Sequence, residues 1–238
     1  MFSQIYQTPS IQWNNKFKHK LAITRDERLR QFYQQDLPQP NTPISEVKFV
    51  AVDFETTGLD PETNDIISIG LVPFTLNRIY LKQAKQWMVQ PQGKLTEESV
   101  IIHGITHSEL EGAPDLDHIL EELLPALTGY IPVVHYRTIE RYFLDNALRS
   151  RIGEGIEFPV LDTLNIELNI QRNKIGFWQR LKGYSVESLR LAQSRRRYNL
   201  PDYTPHHALT DAIATAELLQ AQMAHYYKPT TPIKRFWL

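Results

Sequence analysis

The chain has 238 residues, 42% apolar and 22% charged, with a formal net charge of −1. That is the composition of an ordinary globular protein, long enough for one full hydrophobic core and an extension. The absence of cysteine excludes disulfides, thiolate-held zinc, iron–sulfur clusters and thiol nucleophiles. The near-neutral balance argues against a sequence-independent nucleic-acid coat, although an enzyme that holds a few nucleotides at a strand end needs no such field.

The opening MFSQIYQTPSIQWNNKFKHK lacks the charged start and apolar run of a secretory signal, and no stretch has the length and apolarity to span a bilayer. A cytoplasmic protein without a membrane partner is expected. Residues 1–44 read as an N-terminal helical extension and Pro-rich linker. FKHKLAITRDERLRQFYQ fits a helix with Leu21, Leu29 and Phe32 or Tyr33 as its stripe, followed by Pro38, Pro40 and Pro43. Its basic residues (Lys16, Lys18, Lys20, Arg25, Arg28, Arg30) are expected on a solvated face packed on the main domain, the sharper alternative being a nucleic-acid or partner contact.

The main domain, residues 45–228, opens with VKFVAVDFE, a buried strand closed by the turn TTGLDPETND. IISIGLVPF, closed by Pro73, and RIYLKQAKQWMVQP read as two further strands. APDLDHILEELLPALTG is helical, with Ile119, Leu120, Leu123, Leu124 and Leu127 on one side; YIPVVHY is a strand and TIERYFLDNALRS a helix. VLDTLNIEL runs from a strand end into a helix, SVESLRLAQ is another helix, and HHALTDAIATAELLQAQMAHYY is the last long one. Strands followed by alternating strand and helix give an α/β fold, a mixed central sheet flanked by helices. Residues 229–238 form a C-terminal tail ending in aromatics, expected to fold back on the domain, with docking on another subunit as the alternative.

Asp53 and Glu55 stand two apart at the carboxyl end of the first strand, so both point to one face where ligand sites of open α/β sheets gather. Carboxylates held that close resist joint ionisation unless a hard cation such as Mg²⁺ or Mn²⁺ is shared between them. Alone, the pair is also what an exposed acidic turn looks like.

VDFETTGLDP resembles the first motif of the DEDD exonuclease superfamily, the group that includes DNA polymerase proofreading subunits. IIHGITHSEL, VVHYRTIERYFL and HHALTDAIATAELL follow in that family's order, over residues 47–227. The resemblance implies a ribonuclease H-like fold and a 3′–5′ exonuclease that releases nucleoside 5′-monophosphates, with DNA favoured and RNA admitted as substrate. The H-x-x-x-x-D spacing of His206 and Asp211 is similar to the histidine branch of the family. His207 occupies the position where the other branch has tyrosine, and the two histidines compete for one role. Thr204 and Pro205 are expected as N-cap and first residue of the last helix.

By resemblance, Asp53, Glu55, Glu140 and Asp211 hold two ions of Mg²⁺ or Mn²⁺, and His206 takes a proton from the attacking water. Thr56, Thr57, Leu59 and His103 contact the terminal nucleotide. Single-stranded 3′ ends are the implied partner, with a DNA polymerase or other protein as a further one. The second motif departs from the family, because HYRTIE stands where relatives read H-N-x-x-F-D, which puts Glu140 in place of an aspartate. Glu140 is then either a ligand or a solvated helix residue facing Arg137 or Arg141. If it is not a ligand, the chain is a weak or inactive nucleic-acid-binding module; a third reading is a partner-binding protein acting through its tails. His135 is open between a structural and a substrate-contacting role, Asp162 is expected to cap a turn, and Tyr184 to pack.

Overall fold

The computed structural model describes residues 12–93, 105, 107–174 and 186–238. The central sheet carries the strand order β3 (Arg78–Ile79), β2 (Ile66–Thr75), β1 (Phe49–Thr56), β5 (Ile131–Val134), β6 (Leu161–Asp162), with β4 (Lys85–Met88) also paired to β2. β1 runs antiparallel to β2 and parallel to β5, and β5 is parallel to β6, so the sheet is mixed as expected. The apolar run of β1 and β2 is buried almost throughout, which is why both read as continuous hydrophobic stretches.

Two strand expectations need correction. RIYLKQAKQWMVQP is not one strand: a 3₁₀ turn at Leu81–Gln83 splits it into β3 and β4. Pro73 does not close β2, which continues to Thr75 with Pro73 opposite Val50. The carbonyl of Pro73 accepts the Tyr80 N–H at 2.9 Å on the strand's outer side. The missing proline N–H faces that same side, between the segments paired with β3 and β4, and breaks no ladder bond.

The helices are α1 (Trp13–Ile23), α2 (Glu27–Tyr33), α3 (His107–Leu110), α4 (Leu116–Leu127), α5 (Thr138–Ile152), α6 (Thr163–Lys174), α7 (Leu191–Arg196) and α8 (Ala208–Tyr226). The N-terminal segment is two helices rather than one. Thr24 turns extended, and the Asp26 carboxylate caps α2 by accepting the Arg28 and Leu29 N–H groups at 2.9 and 3.2 Å. In α4 the five predicted apolar positions are all buried, and Asp115 caps the start. The helix expected in SVESLRLAQ begins only at Leu191, with Arg190 before it.

One hydrophobic cluster joins Trp13, Phe17, Phe32 and Tyr33 of the first two helices to β1, β2, α4, α5 and α8. It also takes in Ile233, Phe236 and Trp237 near the chain's end. Backbone bonds tie the linker to that segment: Ile44 N–H to Thr231 O at 2.9 Å and Ile233 N–H to Thr42 O at 2.9 Å. The Leu238 N–H reaches Val160 O at 3.0 Å. The tail thus folds back on the domain. Among the described residues, no helix is long and apolar enough to cross a membrane.

Candidate active site

Asp53 and Glu55 lie on one face of β1, at its carboxyl end, where the pairing with β2 slips between Glu55 and Thr56. Such a bulge bends the strand and re-aims its side chains. Gly70 is the β2 partner of Asp53. A Cβ built there would lie 2.2 Å from the carbonyl carbon of Ala208 and 2.3 Å from Leu209 N, so the backbone of α8 begins directly on the sheet at Gly70. That close approach brings Asp211, in the first turn of α8, over the strand. Carboxylate oxygens of Asp53, Glu55 and Asp211 lie within 4.8 Å of one another.

Glu140 comes in from the first turn of α5. It is 3% exposed, and its Oε2 has no hydrogen-bond partner among the described residues. Arg137, offered as its ion-pair partner in the solvated reading, pairs with Asp162 at 3.2 Å instead. Arg141 donates to the carbonyls of Phe158 and Leu238. Glu140 is therefore not a surface helix residue. Burial holds its carboxyl well above the usual range, with Asp162 adding to the effect. Asp53 is pushed well up by burial and then by Glu140, Glu55 and Asp211. Asp211 is raised too, chiefly by burial, against the lowering effect of its bond from His206.

Mutually repelling carboxylates, with an orphan buried oxygen beside them, form a donor set of hard oxygens that fits a divalent cation. Such clustering of buried carboxylates is costly unless a positive charge shares it.

His206 and His207 are both exposed. The expected cap is displaced, because α8 starts at Ala208 and residues 201–207 are not helical, so Thr204 and Pro205 lie outside it. The cause is local. His206 adopts a left-handed backbone (φ 68°), and its N–H donates to Asp211 Oδ2 at 2.8 Å, so the acid reaches back to cap its own helix. The His207 ring instead meets Thr210 Oγ1 at 3.3 Å, along the helix.

In the turn after β1, the Thr56 hydroxyl donates to Gly58 O at 2.6 Å, and Thr57 Oγ1 accepts the Asp65 N–H at 2.9 Å. Both hydroxyls hold the turn that displays Leu59, which is 84% exposed. His135 is structural: its Nδ1 lies 2.8 Å from Thr163 Oγ1 and its Nε2 2.9 Å from Leu189 O, and burial lowers its pKa to about 4. Asp162 caps α6, accepting the Leu164 and Asn165 N–H groups, and also accepts those of Tyr136 and Arg137. His103 and Tyr184 lie outside the described residues.

Most of the extension's basic residues pair with acids of the domain or of the extension itself. Lys16 and Lys20 pair with Glu157, Arg25 with Glu154, and Arg28 with Asp26 and Asp117. Sequence reasoning missed Gly70. Its signal was a glycine inside the β-branched run IISIGLV, where only a close backbone approach rewards the loss of a side chain.

The exonuclease family model RNase_T matches residues 50–219, from β1 into α8. The chain belongs to this exonuclease family. It is accordingly a hydrolase of the exonuclease class. Among relatives of this exonuclease is the DNA polymerase III PolC-type of Thermotoga maritima, 29% identical over 178 residues, 75% of this chain and 12% of that protein. The DNA polymerase III subunit epsilon of Aquifex aeolicus is 26% identical over 170 residues, 71% of this chain and 77% of that protein. The exonuclease chain thus spans about an eighth of the PolC-type relative.

The same fold appears in the nuclease domain of 3′hExo, a DEDDh family member bound to rAMP, with TM-score 0.58 and 18% identity over 74% of this chain and 91% of that one. Cell-death related nuclease 4 superposes with TM-score 0.61 and 19% identity over 79% of this chain and 67% of that one. These likenesses show the ribonuclease H-like fold.

Proposed function

We propose that this exonuclease removes nucleotides one at a time from single-stranded 3′ ends, DNA in preference to RNA, and releases nucleoside 5′-monophosphates. The observation that carries the reading is the convergence of Asp53, Glu55 and Asp211 within 4.8 Å, with Glu140 buried beside Asp53. Asp53, Glu55 and Asp211 would hold one Mg²⁺ or Mn²⁺, with Asp53 shared and Glu140 supporting a second. When bound, the ions supply neutralising charge to the phosphodiester and lower the pKa of the attacking water.

The chain's own residues do the rest. The bond from the His206 N–H to Asp211 ties its backbone to the cluster's edge, which supports the His206 imidazole as the proton acceptor. The contact of His207 with Thr210 directs it away from that task. The turn held by Thr56 and Thr57 presents Leu59 to the terminal base, and end recognition by shape and stacking requires no base readout. The relatives named as DNA polymerase III proteins support DNA as substrate and a polymerase as partner; the rAMP complex of 3′hExo makes RNA the necessary second arm of any test.

The test uses 5′-labelled single-stranded DNA and RNA with Mg²⁺ or Mn²⁺, with and without EDTA. Stepwise shortening that keeps the 5′ label, and stops with EDTA, is expected. Product appearing from the 5′ end, or binding without shortening in either metal, refutes the reading, and the latter outcome identifies a binding module. In the same assay His206→Ala should lose about 10²- to 10⁴-fold in kcat, while His207→Ala stays near wild type; the reverse ranking would exchange their roles.

A further inference from the structure

Tyr136 opens the loop after β5. The parallel register pairs Ala51 with Val133, one residue before β5 ends, so the loop that carries Tyr136 leaves the sheet at the same carboxyl end as the carboxylates of β1. Tyr136 precedes Glu140 by one helical turn, and the Ile139 N–H donates to its carbonyl at 3.1 Å.

Its backbone is left-handed, φ 87°. That conformation is unfavourable for a bulky residue, whereas glycine or asparagine adopts it readily. Burial does not offset the strain, since 47% of the residue is exposed. What holds it is the frame beneath. Asp162, 1% exposed, accepts the Tyr136 and Arg137 N–H groups at 3.1 and 3.2 Å and pairs with the Arg137 guanidinium. His135 next to it is fixed through both ring nitrogens. The turn's neighbouring polar groups are thus engaged in structure, and the part left facing solvent is an aromatic ring. A strained backbone, over-determined by its surroundings and displaying an exposed ring beside a reactive centre, is the pattern of a preorganised contact.

We propose that Tyr136 is a stacking platform for a nucleobase, and that the base is that of the penultimate nucleotide. This rests on the exonuclease reading. With the terminal nucleotide held at the β1–β2 turn and the scissile phosphate at the carboxylates, a ring on the neighbouring strand's loop meets the base across that phosphate. Aromatic stacking is tolerant of sequence, so the ligand is any unpaired base rather than a particular one.

The experiment compares Tyr136→Ala, Tyr136→Phe and Tyr136→Asn on a single-stranded oligonucleotide and on the p-nitrophenyl ester of thymidine 5′-monophosphate, which has no penultimate base. Tyr136→Ala and Tyr136→Asn should raise KM for the oligonucleotide by about 10- to 100-fold with kcat little changed, and leave ester hydrolysis unaffected. Tyr136→Phe should match wild type. Tyr136→Asn should also melt higher than wild type, because strain is relieved while a contact is lost.

Unchanged KM in Tyr136→Ala, or a Phe variant as impaired as the Ala variant, overturns stacking. An equal loss on the ester overturns the penultimate assignment. Should the wild type cleave neither substrate, the exonuclease reading is what fails. Anisotropy of a fluorescein-labelled oligonucleotide in Ca²⁺ then still decides the stacking claim by whether Tyr136→Ala binds more weakly.

Discussion

Asp53→Asn is expected to abolish hydrolysis, by more than about 10³-fold, and at the same time to make the metal-free protein more stable. Both effects come from the same crowding. Asp53 is pushed well up by burial and by three neighbouring carboxylates, so its charged form is unfavourable in the fold without a cation. The unfolded chain releases this proton near pH 4, and the folded chain keeps it to higher pH. Unfolding therefore releases protons above pH 4, and the contribution of Asp53 to stability falls as pH rises through that window. The variant removes this cost. Its advantage should be nil near pH 4 and grow as pH rises toward neutrality, read as a widening Tm gap over wild type.

Glu140→Gln should behave alike, since burial raises that carboxyl as well. Thermal melts in EDTA from pH 4 to 8, repeated with Mg²⁺, check both. Mg²⁺ should raise wild-type Tm far more than that of Asp53→Asn. A variant less stable than wild type at neutral pH in EDTA would show that the carboxylates are not in conflict.

Gly70→Ala should be the most damaging single-methyl change in the sheet. The added carbon falls 2.2 Å from a backbone atom of Ala208, so no side chain can move aside, and the start of α8 must lift. Overpacking of this kind costs about 1–3 kcal/mol, and a displacement near 1 Å at a reacting geometry costs about 10²-fold in rate. Because the contact is with backbone, Ala208→Gly should not rescue it. Activity measured well below the variant's Tm separates the two effects. A variant that melts lower yet keeps full kcat would show that Gly70 serves packing alone.

Much of this was legible from the chain. Asp53 and Glu55 announce themselves because strand periodicity of two puts them on one face, and the helix carrying Asp211 has a long apolar pattern. The fold class follows from the order of strands and helices. What was not legible depends on contacts distant in sequence. Glu140 stays open between a ligand and a surface residue flanked by arginines until burial and the pairing of Arg137 with Asp162, from another strand, remove the surface reading. The start of α8 was misread at Thr204 because a Ser/Thr-Pro cap is a good local signal, whereas the deciding bond runs from His206 to a carboxylate five residues on. The break between β3 and β4 is a matter of pairing with different stretches of β2, which propensity does not encode.

The ion pairs of the N-terminal extension have a kinetic consequence. With Lys16, Lys20, Arg25 and Arg28 already matched to acids of the same molecule, that segment offers little free positive charge along which a polyanion could slide. That segment then sheds few counterions on binding, and should add little to the salt dependence of affinity for a strand. On the exonuclease reading, this segment would not hold the enzyme on a strand between cuts. With substrate in excess, every strand should shorten by a little before any is consumed.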